Sequence, residues 1–119
     1  MDLPDSEEFI LNLEFIPIIV GTDMNTYNMS ISFHEEYGVH PILVGQAPLT
    51  FTQYSTIPAH IEYFADLHEA GKFTINLEKV AKKYQEPNKK LLLVGTNDMY
   101  VRYIVENAEF LRQYYVFNY

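Results

Sequence analysis

The chain has 119 residues, 48% of them hydrophobic, and no cysteine. That is enough for one buried core and too apolar for disorder, and it excludes disulfides, thiolate metal sites and a cysteine nucleophile. Eight basic residues against 16 acidic ones leave a net charge of −8, which disfavours non-specific binding to nucleic acid or to an anionic membrane surface.

The chain opens Met1–Asp2–Leu3–Pro4–Asp5, acidic where a secretory leader would be basic. Its apolar runs are far shorter than a bilayer span. A cytoplasmic protein with no membrane span is therefore expected, in which the sequon Asn28–Met29–Ser30 arises by chance. Residues 1–14 read as an N-terminal arm, polar at first and ambiguous between helix and extended chain over Phe9–Glu14.

Residues 15–119 read as a single domain. Phe15–Val20 is a dense apolar run closed by Gly21, the pattern of a strand buried on both faces. Pro17 cannot donate to a ladder, so pairing is expected from about Ile18. A helix follows over Asn25–Tyr37, with Asp23 or Asn25 as its cap and Gly38 in the left-handed position that ends it. Pro41–Val44 is a second buried strand, Thr50–Ile57 a turn or short helix, and His60–Ala65 a third strand. After a loop around Gly71, the spacing of Leu77, Val80, Ala81 and Tyr84 predicts a helix over Thr74–Gln85. Glu86–Lys90 is a turn and Leu91–Val94 a fourth strand. Asn97 or Asp98 caps a third helix, whose apolar face carries Val101, Ile104, Val105, Ala108 and Leu111. Tyr114–Tyr119 is expected as a fifth strand.

Strands that alternate with helices predict an α/β fold, a three-layer, Rossmann-like domain with a mainly parallel sheet in the order 3-2-1-4-5. That order makes strands 1 and 4 neighbours whose connections leave in opposite directions, opening a crevice at the carboxyl edge. Both loops at that crevice begin with the same three residues, Val20–Gly21–Thr22 and Val94–Gly95–Thr96. The candidate site residues are Gly21, Thr22, Asp23 and Asn25 in the first loop, and Gly95, Thr96, Asn97 and Asp98 in the second. Glycine lets the backbone turn sharply or approach a ligand, and each loop feeds a helix N-terminus whose free N–H groups favour an anion. Capping accounts for the same residue types, so each side chain has a structural reading beside the functional one.

Other chemistries find no support. There is no G-x-G-x-x-G fingerprint, no P-loop and no nucleophile elbow. The four histidines, His34, His40, His60 and His68, have no i, i+4 partner, and the spacing argues against a zinc site. A phospho-acceptor site would need a carboxylate pair and a lysine beside Asp23 and Asp66. Ten tyrosines and eight phenylalanines are core and interface residues rather than base-stacking platforms in so acidic a chain. Glu35 and Glu36 form a solvated helix face, and Lys79, Lys82, Lys83, Lys89 and Lys90 complement a helix end. No nucleophile–base pair and no metal shell is complete, so the chain reads as one part of an active site.

The segments Glu14–Gly38 (EFIPIIVGTDMNTYNMSISFHEEYG) and Leu91–Tyr119 (LLLVGTNDMYVRYIVENAEFLRQYYVFNY) resemble the N-terminal, pre-ATP-grasp domain of ATP-grasp carboxylate–amine ligases, and within them the D-aspartate ligase group of Gram-positive bacteria. The resemblance runs from about Glu8 to Tyr119 and is looser over Ala47–Pro87. It implies a longer protein, in which two further lobes clamp ATP and magnesium, a carboxylate is activated as an acyl phosphate, and an amine attacks it. In this group the product is a side branch on a cell-wall precursor. By the resemblance, the eight loop residues face an amino-acid or cell-wall precursor substrate. The ATP-grasp lobes, with their phosphate-binding lysines and magnesium carboxylates, would lie beyond Tyr119. The chain is then expected to be inactive alone, to hold no cofactor tightly, and to be able to form a homodimer through surface meant for those lobes. The alternative is a free-standing Rossmann-like module that binds a small molecule or nucleotide.

Overall fold

The computed structural model describes residues 15–21, 24–47, 58, 60–117 and 119. Strand β1 is Phe15–Val20, helix α1 Met24–Tyr37, β2 Ile42–Gly45, β3 His60–Tyr63, α2 Lys72–Tyr84, β4 Lys90–Gly95, α3 Asp98–Glu106 and α4 Ala108–Leu111. The expected arm over 1–14 and the turn Thr50–Ile57 lie outside the described residues. All strand pairs are parallel, and the sheet runs β3-β2-β1-β4. This is the expected Rossmann-like order for its first four strands.

Proline explains how β1 is paired. β1 joins β2 only from Ile18, opposite Ile42, but joins β4 from Phe15, opposite Lys90. The Gly21 amide donates to the Val44 carbonyl on β2 at 2.6 Å. By strand alternation Pro17, four residues earlier, turns its nitrogen toward the same side. The missing N–H thus falls where β2 has not begun, and the expectation of a late ladder holds on that side only.

The sheet faces divide the core unequally. Ile18, Val20, Ile42, Val44, Leu91 and Leu93 form one face and pack with Phe73, Leu77, Val80 and Ala81 of α2, with Tyr100 and Ile104 of α3, and with Leu111. Ile19 and Leu43, fully buried, point to the opposite face, where α1 packs on β1. α2 succeeds because its apolar residues recur at helical spacing, with Lys82 and Lys83 in the last turn facing solvent and the negative helix end.

Three expectations about elements need correction. Helix α1 begins at Met24, so Asn25 lies inside its first turn and is not the cap. The third helix is not continuous to Leu111. It breaks at Asn107, whose side-chain amide donates to the Tyr103 carbonyl at 2.8 Å, an interaction that competes with the regular ladder. Among the described residues the fifth strand is reduced to one parallel bridge, Leu92 with Val116. The helical turns run on to Tyr114, the residue at which the strand was expected to begin. The tail is instead held by side chains. The Tyr115 hydroxyl donates to the Leu77 carbonyl at 2.6 Å, the Tyr114 hydroxyl to Glu78 at 2.6 Å, and the Arg112 guanidinium sits 4.4 Å from the Phe117 ring centre. Burial pushes the Tyr115 phenol up, so it remains a donor throughout the physiological range.

A charge cluster ties the outer strand to the core helix. Glu62 on β3 accepts hydrogen bonds from Lys83, at 2.7 Å, and from the Tyr84 hydroxyl. Burial pushes the Glu62 carboxyl up, but these two hydrogen bonds and the Lys83 charge outweigh it and hold it below its usual value of 4.5. A carboxylate whose pKa is lowered in the fold stabilises above the unfolded pKa and loses that contribution as pH falls through the folded one. Glu62→Gln should therefore lower the melting temperature at neutral pH by about 2–6 °C. The difference from wild type should shrink toward zero in thermal melts taken well below pH 4.5. A difference that persists undiminished in acid would show that the carboxylate charge is not what matters.

Candidate functional site

In a parallel sheet the residues that follow every strand gather at one edge. Here that edge carries Gly21 after β1, Gln46 after β2, Asp66 and His68 after β3, and Thr96–Asp98 after β4. The Val20–Gly95 register sets the ends of β1 and β4 side by side. The Thr96 hydroxyl locks them together by donating to the Val20 carbonyl at 2.9 Å.

The two glycines serve different needs. Gly21 has a φ of 140°, and a Cβ there would collide with the hydroxyls of Thr26 and Thr96. Conformation and space both require glycine. Gly95 has ordinary dihedrals, but a Cβ would lie 3.0 Å from the Val101 amide nitrogen and 3.3 Å from Ile104 Cδ1. It is the point where α3 comes down against the strand end.

Of the other predicted residues, Thr22 and Asp23 lie outside the described residues, as does the side chain of Asn25. Asn97 is the N-cap of α3. It is extended, at φ −148° and ψ 171°, and its Oδ1 accepts from the Tyr100 amide at 3.0 Å. Asp98 is exposed in the first turn, where its charge complements the helix dipole.

The fold adds residues that the sequence reading passed over. Thr26, fully buried, abuts Gly21. The Gly95 amide donates to the Tyr119 hydroxyl at 3.2 Å, across 24 residues. His68 Nε2 lies 2.7 Å from the Tyr100 hydroxyl, and the Asn76 side-chain amide donates to Asp66 at 2.9 Å. Gln46 Nε2 donates to the Ala65 carbonyl at 3.2 Å, joining the loops after β2 and β3. No local motif marks these pairs. The signal available was topological, since every loop after a parallel strand reaches this edge.

Several concavities lie away from these loops. One of about 380 Å³ at the amino edge is lined by His40, His60, Tyr84, Glu86 and Lys89, and an apolar one of about 260 Å³ lies beneath Phe33 and Tyr37. A small one of about 170 Å³ adjoins His68, Phe73 and Tyr103 near the carboxyl edge. The apolar one offers no polar side chain to orient a ligand, apart from Tyr37 at its lining.

Among the described residues no group of three or more His, Asp or Glu side chains can hold a metal ion, and neither loop carries Lys or Arg. The arrangement can orient a substrate through hydroxyl, carboxamide, carboxylate and backbone groups. It does not fit a magnesium–triphosphate group, which needs cations and clustered carboxylates. Among the described residues no helix is long and apolar enough to cross a membrane.

Direct comparison finds the same likeness that the motifs carry. The chain is 34% identical over 108 residues to the D-aspartate ligase of Enterococcus faecium (strain Aus0004), a match that takes in 90% of this chain and 25% of that protein. The chain thus spans about a quarter of the length of the curated relative it matches. No family model and no solved structure matches the chain.

Proposed function

We propose that this chain is the substrate-side, pre-ATP-grasp part of an ATP-dependent carboxylate–amine ligase of the D-aspartate type, acting in the cytoplasm on an amino acid and a cell-wall precursor. The observation that carries the reading is a conjunction. The chain is similar over 90% of its length to a D-aspartate ligase, and its sheet order makes neighbours of the two strands that lead into the repeated Val-Gly-Thr sequences. Residues 1–14 form the arm of this part and residues 15–119 its single domain.

ATP, held with magnesium by lobes outside these residues, supplies the phosphoryl group that activates the carboxylate for attack by the amine. The part played here is positional. In this reading Gly21 and Gly95 bring backbone close to the substrate, and the short polar side chains of Thr22, Asp23, Asn25, Thr96, Asn97 and Asp98 are assigned to meet its carboxylate or ammonium.

A protein in which this chain continues into the ATP-clamping lobes should release phosphate only when ATP, the carboxylate and the amine are all present. The 119-residue chain alone should release none and should show only weak binding of ATP, ADP and amino acids in thermal-shift titrations. Tight nucleotide binding by the chain alone would favour a free-standing binding module instead.

A further inference from the structure

His34 is in the last turn of α1, and His40 stands two residues before β2. Their spacing of six matches no helical pairing. Gly38 changes this, because its left-handed φ of 69° reverses the chain as the helix ends. The two imidazoles then come together, with ring centres 4.6 Å apart and planes tilted by 43°.

A second observation marks the same place. His34 Nδ1 is buried with no hydrogen-bond partner, and so is the Ser30 hydroxyl one turn earlier on α1. Buried polar atoms are rarely left so, and a bound ion or water is a standard way in which such atoms are satisfied. The setting suits a cation. The negative end of the α1 dipole points here, and Glu35 and Glu36 are exposed on the same turn. His40 is exposed and lines the amino-edge concavity of about 380 Å³, which gives a route from solvent.

We propose that His34 and His40 form a two-nitrogen site for a late first-row divalent cation, Cu²⁺, Ni²⁺ or Zn²⁺. Imidazole nitrogen is the donor these ions prefer over calcium or magnesium. Two nitrogens bound at about 2.0–2.1 Å to one ion stand roughly 3.3 Å apart, within reach of rings at this separation. Water completes the coordination, and the Ser30 hydroxyl is placed on the same helix face to bond such a water. With two protein donors the site is open and exchangeable, unlike a closed structural zinc site. It lies at the opposite edge of the sheet from the Val-Gly-Thr loops, and it stands or falls apart from the ligase reading.

Isothermal titration of the 119-residue chain with Zn²⁺, Ni²⁺ and Cu²⁺ tests it. One saturable ion per chain is expected, with Cu²⁺ tightest in keeping with the Irving–Williams order. His40→Ala, at an exposed position, and His34→Gln, which keeps much of the buried volume, should each weaken binding at least tenfold while circular dichroism stays unchanged. His68→Ala, at the other edge, should leave the affinity within about twofold. No saturable binding by the wild type, or affinity unchanged in either His34→Gln or His40→Ala, would overturn the proposal.

Discussion

Gly21→Ala should destabilise the protein by roughly 3–5 kcal/mol, as the sum of backbone strain and overpacking. The strain arises because a φ of 140° is one that residues with a Cβ rarely adopt. The overpacking arises because the new methyl must displace two hydroxyls, those of Thr26 and Thr96. Thr96 cannot yield without losing its hydrogen bond to the Val20 carbonyl, the link between the two loops. Thr26 is fully buried and has nowhere to go. A loss of this size is a large share of the stability of a domain of this length.

Gly38→Ala provides the control. Gly38 also has a positive φ, 69°, but nothing lies within 4 Å of a Cβ built there. That substitution should cost only about 1 kcal/mol, from backbone preference alone. Urea melts of the two variants separate strain from space. If Gly21→Ala cost no more than Gly38→Ala, the close approach of Thr26 and Thr96 to Gly21 would be wrong.

The order of the sheet was legible because its buried runs end in turn or cap signals, and after the first and fourth the next helix begins almost at once. Phe15–Val20, Pro41–Val44 and Leu91–Val94 are too apolar to face water on either side, which leaves a parallel, covered sheet as their solution. The split of the third helix was not legible. Ala108 and Leu111 continue the apolar face of Val101 and Ile104, and the competing bond from Asn107 to Tyr103 leaves no trace in that periodicity. The fifth strand misled for a related reason. Tyr114–Tyr119 has strong β-propensity, but Tyr114 and Tyr115 are spent on hydrogen bonds to α2, Tyr119 reaches β4 through its hydroxyl, and among the described residues Val116 alone forms a bridge with β4.

The repeat Val-Gly-Thr closes two strands that turn out to be neighbours, with Val20 opposite Gly95. The distinct tasks of the two glycines could not be read from identical triplets. Gly21 answers to a positive φ and two threonines, and Gly95 to the closeness of α3. The Gly95–Tyr119 bond spans residues without any local pattern.

The central claim is that these two loops hold substrate in a ligase. It is tested most directly by steady-state kinetics on the protein carrying the ATP-clamping lobes, with Asp23→Ala and Asn97→Ala combined. Asn97 also caps α3, so its replacement costs about 1 kcal/mol by itself, and Asn97→Ser restores a cap without the carboxamide. Melting curves and Asn97→Ser together distinguish lost stability from lost substrate contacts. The account predicts that kcat/KM for the carboxylate or the amine falls by about 10–100-fold in the double variant while the protein stays folded, the scale expected when a substrate is no longer held in line. Normal turnover with unchanged KM for both substrates would contradict it.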